Sequence, residues 1–192
     1  MILFNAFLGT VAFFLSCFAW WKFQCRCRQR TIASAIPRLQ RVDLAEFDQL
    51  TDPVEEAYLR QRYRRDFRRL QKERIILAIQ HVRRMAHNAR VLVATGCCER
   101  QSKDPARQYL GNELIRAALQ VRLYAVGALL KLYFWKCFKI HAWALVPTPS
   151  LADFRELAGV EVVSAYDRLR FRAANLSLLE NEGYYELVMQ YL

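Results

Sequence analysis

The chain has 192 residues, of which 54% are hydrophobic, and its 29 lysines and arginines against 18 acidic residues give a formal net charge of +11. Six glycines and five prolines exclude a collagen-like or largely disordered protein, and six cysteines without a regular spacing do not indicate a disulfide-rich scaffold. So basic a balance favours an acidic partner surface, either anionic phospholipid or nucleic acid.

The chain begins with an uncharged apolar run over Met1–Trp21. A helix of this length spans roughly 31 Å, which matches a hydrocarbon core of about 30 Å. A signal peptide that is cleaved has a basic start, a shorter apolar core and small residues before the cut, and this run has none of them. We therefore predict an uncleaved transmembrane anchor over residues 1–24, with a cleaved signal and a buried core helix as alternatives.

Charge predicts the orientation of this anchor. No lysine or arginine precedes the run and several follow it, which favours an N-terminus outside and the bulk of the chain on the cytoplasmic side. Indole rings prefer the headgroup level, and the cations attract anionic lipid. The predicted membrane-interface residues are Trp20, Trp21, Lys22, Arg26, Arg28 and Arg30.

Residues 25–52 are predicted to be a basic juxtamembrane linker, because Pro37 interrupts any continuous helix there. The linker ends in a short acidic helix. A helical bundle domain of about three long helices with short accessory helices is predicted to follow over residues 53–192, so the predicted fold class is all-α. Its start is well marked, since Asp52 suits an N-cap, Pro53 suits the first turn and two glutamates follow.

The helix from Pro53 has the most polarised pattern in the chain. Its apolar residues recur on one side and are predicted to pack: Leu59, Tyr63, Phe67 and Leu70. Asp66 is a possible N-cap at which the helix bends or restarts, and Gly96 is predicted to end it. The opposite side, within the basic stretch 60–74, is the predicted partner-binding face: Arg60, Arg64, Arg65, Arg68, Arg69 and Lys72.

Residues 97–105 are polar and are predicted to form the loop between two antiparallel helices. The second helix extends over 106–146, and most of it is apolar nearly all round. Three placements stay open for residues 114–146. They form the core of the bundle, they lie in the plane of the membrane interface, or they make a second span that puts Lys131 in hydrocarbon.

The prolines of Val146–Pro149 are predicted to end that helix. Ser150 opens a capping-box-like pattern for a last helical region that reaches about residue 180, with Gly159 as its weak point. The tail after Gly183 is too apolar to stay free. It is predicted to dock as a short helix, with a strand as the alternative.

Residue patterns for catalysis or cofactor binding are absent from the sequence. There is no glycine-rich phosphate loop and no Gly-x-Ser-x-Gly, so we expect no enzyme, cofactor or metal. His81, His87 and His141 lack the spacing of a helical metal pair. Cys25 and Cys27 are interpreted as inert thiols, with acylation as an alternative.

The leading hypothesis is a membrane-anchored structural or interaction protein, a scaffold or accessory subunit of a membrane complex that contacts anionic headgroups through its basic faces. The expected partners are the lipid bilayer and a protein of that complex. Nucleic acid is not favoured, because Tyr63 and Phe67 are predicted to pack rather than to stack on bases. Two alternatives are a tethered module that recruits an acidic protein or nucleic acid, and a small redox or metal-binding membrane protein.

Overall fold

The computed structural model describes residues 31–141 and 150–192, and within these ranges the regular secondary structure is entirely helical. In chain order the helices are α1 (Ile32–Ala35), α2 (Leu44–Leu50), α3 (Pro53–Arg62), α4 (Phe67–Glu99), α5 (Pro105–His141), α6 (Leu151–Phe154), α7 (Val160–Leu178) and α8 (Glu182–Tyr191). Helices α4, α5 and α7 are long, and the others are short. The predicted all-α bundle is confirmed for this part of the chain.

The predicted anchor over residues 1–24 lies outside the described residues. So do its predicted interface residues, Trp20, Trp21, Lys22, Arg26, Arg28 and Arg30. Among the described helices, the stretch Pro105–Lys136 of α5 is long and apolar enough to cross a membrane by length and composition. It lies in the middle of the chain, and the anchor therefore stays a prediction.

Short helices begin where acidic side chains can accept the first free backbone N–H groups. Asp52 Oδ1 accepts the N–H of Val54 at 2.9 Å at the start of α3, and Pro53 occupies the first position. Asp43 Oδ1 accepts the N–H of Glu46 at 3.0 Å at the start of α2. The predicted helix start at Pro53 is confirmed, and so is the short acidic helix that was predicted to end the linker.

The basic stretch does not form one continuous helix. α3 ends at Arg62, a turn follows over 63–66, and α4 begins at Phe67, which confirms the predicted restart. Asp66 occupies the N-cap position, but its side chain makes no capping hydrogen bond. The turn changes the direction of the chain, so an apolar stripe drawn for a single helix does not persist across it. Accordingly Phe67 is buried while Tyr63 is exposed, and the prediction that Tyr63 packs is wrong.

Gly96 was predicted to end α4, but the helix continues to Glu99. The loop is correspondingly shorter than predicted, over residues 100–104, and Cys97 and Cys98 lie in the last turn of the helix.

Gly96 serves instead as a point of close approach between α4 and α5. A Cβ atom on Gly96 would lie 2.9 Å from the carbonyl oxygen of Gly111, and a Cβ atom on Gly111 would lie 2.9 Å from the carbonyl oxygen of Gly96. Each helix therefore needs a residue without a side chain where the two backbones meet.

One face of α5 forms the centre of the bundle, packed between α4 and α7. The fully buried residues of this face are Leu114, Ala118, Val121, Ala125, Ala128 and Leu132. α7 runs antiparallel to α5, since Glu113 pairs with Arg172 near the end of α7 and Trp135 contacts Phe154 just before its start. A π-helical turn over Arg155–Gly159 joins α6 to α7, so the predicted weak point at Gly159 is confirmed.

Residues 31–50 were predicted to belong to a linker, yet they pack against α4 and α7. Their buried apolar residues are Ile32, Ala35, Ile36, Leu39, Val42 and Phe47. Pro37 lies within a 3₁₀ turn over Ile36–Arg38, a conformation that it tolerates, so the proline does not prevent burial of its neighbours. This stretch is therefore part of the core.

The C-terminal tail docks as a helix, as predicted. Asn181 Oδ1 accepts the N–H of Gly183 at 2.9 Å and caps α8. Val188 and Leu192 are buried, and Arg170 on α7 donates to the carbonyl of Met189 at 3.1 Å.

Candidate interaction surfaces

The six cations predicted to form a partner-binding face are all exposed at the junction of α3 and α4. Arg60 is engaged, since its Nη2 lies 3.3 Å from Glu56 Oε1 and its guanidinium lies over the ring of Phe67. Arg69 Nε lies 3.3 Å from Glu73. Among the described residues, no carboxylate lies within ion-pair distance of the other four, Arg64, Arg65, Arg68 and Lys72. These six residues are called the basic surface below.

Two tyrosines are exposed among these cations. Tyr58 on α3 is 59% exposed and Tyr63 in the turn is 46% exposed. The sequence pattern placed Tyr63 on the packing side, and its exposure adds an aromatic ring to the basic surface. Arg74, at the end of the basic stretch, is not part of this surface, because it is buried and its Nη2 donates to the carbonyl of Leu50 at 2.7 Å.

An open cleft of about 720 Å³ lies beside the basic surface. Its lining includes Arg60 and Arg64 together with Glu56 and Asp153. Because the cleft carries both signs of charge, the strongest attraction for an anion lies outside it, on Arg65, Arg68 and Lys72.

Glu56 is buried and joins three elements. Its Oε1 accepts from Arg60 Nη2, while its Oε2 accepts from Gln71 Nε2 at 3.3 Å and from the N–H of Leu151 at 2.8 Å. The carboxylate thereby satisfies a free N–H at the start of α6. A sequence pattern does not reveal this contact, because the two residues are 95 positions apart.

A second buried carboxylate lies at the other end of the bundle. Arg107 Nη1 lies 3.7 Å from Glu99 Oε2, and Arg107 Nη2 donates to the carbonyl of Leu179 at 3.3 Å. Burial raises the pKa of Glu99, and the charge of Arg107 opposes that shift. These contacts tie the α4–α5 hairpin to the end of α7, and we assign them a structural role.

Three buried polar side chains, spaced by seven residues along α4, bind residues 38–50: Arg74, His81 and Asn88. We call this set the polar ladder. Arg74 binds the carbonyl of Leu50, as described above. His81 Nε2 lies 3.3 Å from Glu46 Oε2. Burial lowers the pKa of His81, although the charge of Glu46 opposes the shift.

Asn88 makes the most complete set of contacts in the polar ladder. Its Oδ1 accepts the N–H of Gln40 at 2.8 Å, and its Nδ2 donates to the carbonyl of Gln40 at 2.7 Å and to the hydroxyl of Tyr166 on α7 at 2.7 Å. Beside it, His87 Nε2 lies 3.1 Å from the carbonyl of Arg38. The sequence carried a signal for this set, since polar residues spaced by seven fall on one face of a helix.

The side of α5 that faces away from the bundle is apolar and exposed. Five of its side chains are between 50% and 71% exposed and recur every three or four residues: Leu119, Leu123, Val126, Leu130 and Phe134. No charged residue falls within this stripe, and a Cβ atom on Gly127 beside it would meet nothing within 4 Å. We call it the outer face of α5.

Cations border the outer face. The guanidinium of Arg83 lies 5.5 Å from the ring centre of Tyr133, which places Arg83 where α4 meets α5. Arg90 is seven residues further along and therefore lies on the same side of α4. Arg122 is exposed on α5 itself.

The histidines and cysteines of the described residues do not form a metal or redox site. Within residues 31–141 and 150–192, no group of three or more histidines, cysteines or carboxylates is placed to hold a metal ion. Cys97 is buried and Cys98 is half-buried. Cys25 and Cys27, and the side chain of His141, lie outside the described residues.

Comparison of the chain with protein-family models, with curated proteins and with solved structures gives no significant match.

Proposed function

We propose that this protein is a membrane-anchored helical scaffold or accessory subunit of a membrane complex. In this proposal residues 1–24 form the anchor, the bundle lies on the cytoplasmic side, and the basic surface contacts anionic headgroups.

The observation that carries the proposal is a group of four exposed cations at the junction of α3 and α4 that form no ion pair with any described residue: Arg64, Arg65, Arg68 and Lys72. Near an anionic leaflet each such cation contributes about 1 kcal/mol. That attraction is weak for a free protein. A tether raises the effective concentration of the surface, so weak contacts are sufficient to orient the bundle.

The roles of the buried ionisable groups also support a structural protein. Glu56 is occupied by three hydrogen-bond donors, and His81 is paired with Glu46 inside the polar ladder. Both groups join segments of the chain to each other.

Membrane fractionation tests the proposal. We expect the full chain to stay with membranes at high salt, and a chain that lacks residues 1–21 to lose part of its membrane binding as the salt concentration is raised, because salt screens the basic surface. A shortened chain that stays entirely in the membrane fraction at high salt contradicts the single-anchor model. Circular dichroism of the shortened chain verifies that it is folded.

Charge reversal tests the surface itself. In the shortened chain, Arg64→Glu with Arg65→Glu should weaken low-salt binding to anionic vesicles at least about tenfold, because each cation near an anionic surface contributes about 1 kcal/mol. The matched control is Arg100→Glu with Lys103→Glu, which makes the same charge change at the other end of α4. Equal losses in the two variants would show that net charge alone, rather than the basic surface, determines binding.

The exposure of Tyr58 and Tyr63 favours a second candidate, a tethered module that recruits single-stranded nucleic acid through this surface. Stacking of a base on an aromatic ring contributes about 1–3 kcal/mol. Replacing both rings by alanine should then weaken binding of an oligonucleotide at least about tenfold and leave vesicle binding unchanged. Unchanged oligonucleotide binding rules this candidate out.

A further inference from the structure

We infer that the outer face of α5 lies in the plane of the membrane interface, with its apolar side chains inserted into an anionic leaflet. This inference deepens the proposed function and rests on it, because it assumes that the bundle is held at a membrane. It concerns a surface that the proposed function does not use.

The first argument is the continuity of the apolar stripe. From Leu119 to Phe134 it extends over roughly 22 Å of helix. Single exposed apolar residues are ordinary on soluble proteins, but a contiguous patch is typical of an interaction site. Water is therefore an unfavourable environment for this face.

The second argument is the distribution of side-chain size around α5. The inner face has small residues at its centre, Ala118, Ala125 and Ala128, whereas the outer face has leucines and a phenylalanine. Helices that pack in lipid place small residues against each other and leave large apolar residues toward the acyl chains. The arrangement of α5 matches that pattern on its exposed side.

The third argument is charge complementarity. Arg83, Arg90 and Arg122 border the outer face on the side of α4. On the side of α7, Glu113 is already paired with Arg116 at 3.2 Å and Arg172 at 3.5 Å. A border of cations around an apolar stripe attracts anionic headgroups, and it repels a second copy that presents the same face.

The position of α4 beside α5 favours insertion of α5 in the plane of the interface over a complete span. α4 follows α5 from the contact of Gly96 with Gly111 to the contact of Arg83 with Tyr133. A spanning α5 would carry the exposed arginines of α4 into hydrocarbon, at about 2.5–3.5 kcal/mol each. Insertion by about 5–10 Å leaves those arginines among the headgroups.

The test uses the full chain in lipid nanodiscs that contain phosphatidylglycerol and phosphatidylcholine with brominated acyl chains, which quench tryptophan fluorescence. The variant Leu123→Trp adds an indole on the outer face, where the native side chain is 71% exposed. The matched control is Phe171→Trp, at a position on α7 that is 56% exposed. The four native tryptophans are the same in both variants.

We expect brominated lipid to quench the emission added at position 123 at least about twofold more than that added at 171, since only the former lies at acyl-chain depth. Acrylamide, a quencher in water, should show the reverse order. Equal quenching by lipid in the two variants overturns the inference.

The same experiment distinguishes lipid from two other partners of the outer face. If neither quencher reaches the indole at position 123 in discs that hold one copy, the chain's own N-terminal segment covers it. Protection only in discs with two copies indicates a dimer. Either result overturns insertion while leaving the membrane-anchored scaffold intact, whereas failure of the full chain to enter discs overturns both.

Discussion

α4 is held on two sides by two different kinds of contact. Against α5 it offers Gly96, where the two backbones approach closely, and buried apolar side chains. Against residues 38–50 it offers the polar ladder, whose members bind backbone groups and one carboxylate. At Gly96 the first contact depends on the absence of a side chain, and the second contact depends on specific hydrogen bonds.

The two kinds of contact differ in what they specify. Apolar packing stabilises in proportion to the area that leaves water, and it tolerates small shifts in position. A buried hydrogen bond contributes little net free energy, but its loss leaves an unsatisfied group and costs more. The polar ladder therefore fixes the register of residues 38–50 on α4, while the contact with α5 supplies most of the burial.

The largest expected effect comes from placing a charge on the apolar side. Ala125→Asp buries an unpaired carboxylate at a fully buried position and should lower the free energy of unfolding by about 3 kcal/mol or more. The adjacent variant Val126→Asp places the same group on the outer face and should change it by less than about 0.5 kcal/mol in mild detergent. Urea unfolding followed by circular dichroism measures both, and similar losses would contradict the assigned faces.

A smaller loss is expected from breaking the polar ladder. Asn88→Ala removes both bonds to Gln40 and the bond to Tyr166, and it leaves the hydroxyl of Tyr166 buried without that partner. We expect a loss of about 2–3 kcal/mol in the same unfolding experiment. His87→Ala removes a single, exposed contact with the carbonyl of Arg38 and should cost about 0.5–1 kcal/mol. Equal losses of unfolding free energy in the two variants would contradict a larger contribution from the bonds of Asn88.

The polar side should also respond to pH, whereas the apolar side should not. The pKa of His81 is lowered in the folded state from its ordinary value of 6.5. At a pH below 6.5 the unfolded chain therefore binds more protons than the folded chain. Stability should therefore fall as the pH drops below that value, and less so in His81→Gln. The effect should be smaller than that of Asn88→Ala. Burial and the charge of Arg84 lower the pKa of His81, but the charges of Glu46 and Asp43 raise it and so reduce the net shift. Parallel pH profiles for the two proteins would assign the dependence to other groups.

The smallest effect is expected where α4 and α5 meet at the surface. Arg83→Ala removes the cation over the ring of Tyr133 and should cost about 0.5–1 kcal/mol. Arg84→Ala, its exposed neighbour, serves as the control and should be near neutral. Thermal unfolding in mild detergent compares them, and identical midpoints would show that the contact with Tyr133 does not contribute.

The contact with α5 was largely predictable from the sequence. Periodic apolar residues predicted both long helices and their antiparallel pairing. The end of α4 was not predictable, because a glycine looks the same in a sequence whether it terminates a helix or admits a neighbouring backbone. Gly96 does the second, and its partner Gly111 is recognisable only once the two helices are paired.

The polar side was missed for a different reason. Arg74, His81 and Asn88 are residues that usually face water, and their partners on residues 38–50 are mostly backbone groups that leave no sequence signature. The predicted linker is therefore packed against the bundle over residues 31–50. Part of the basic surface was predictable from its arginines alone, whereas the exposure of Tyr63 depends on a turn whose geometry the helical pattern does not encode.

The bond from Glu56 to Leu151 has a consequence for the order of folding. Closing a segment of 95 residues costs roughly 4 kcal/mol of chain entropy, against roughly 1.5 kcal/mol for the five residues between α4 and α5. The α4–α5 hairpin is thus expected to form early, and α6 to be fastened to α3 late. Pulse-labelling hydrogen exchange during refolding should therefore detect protection in α4 before protection of the N–H of Leu151.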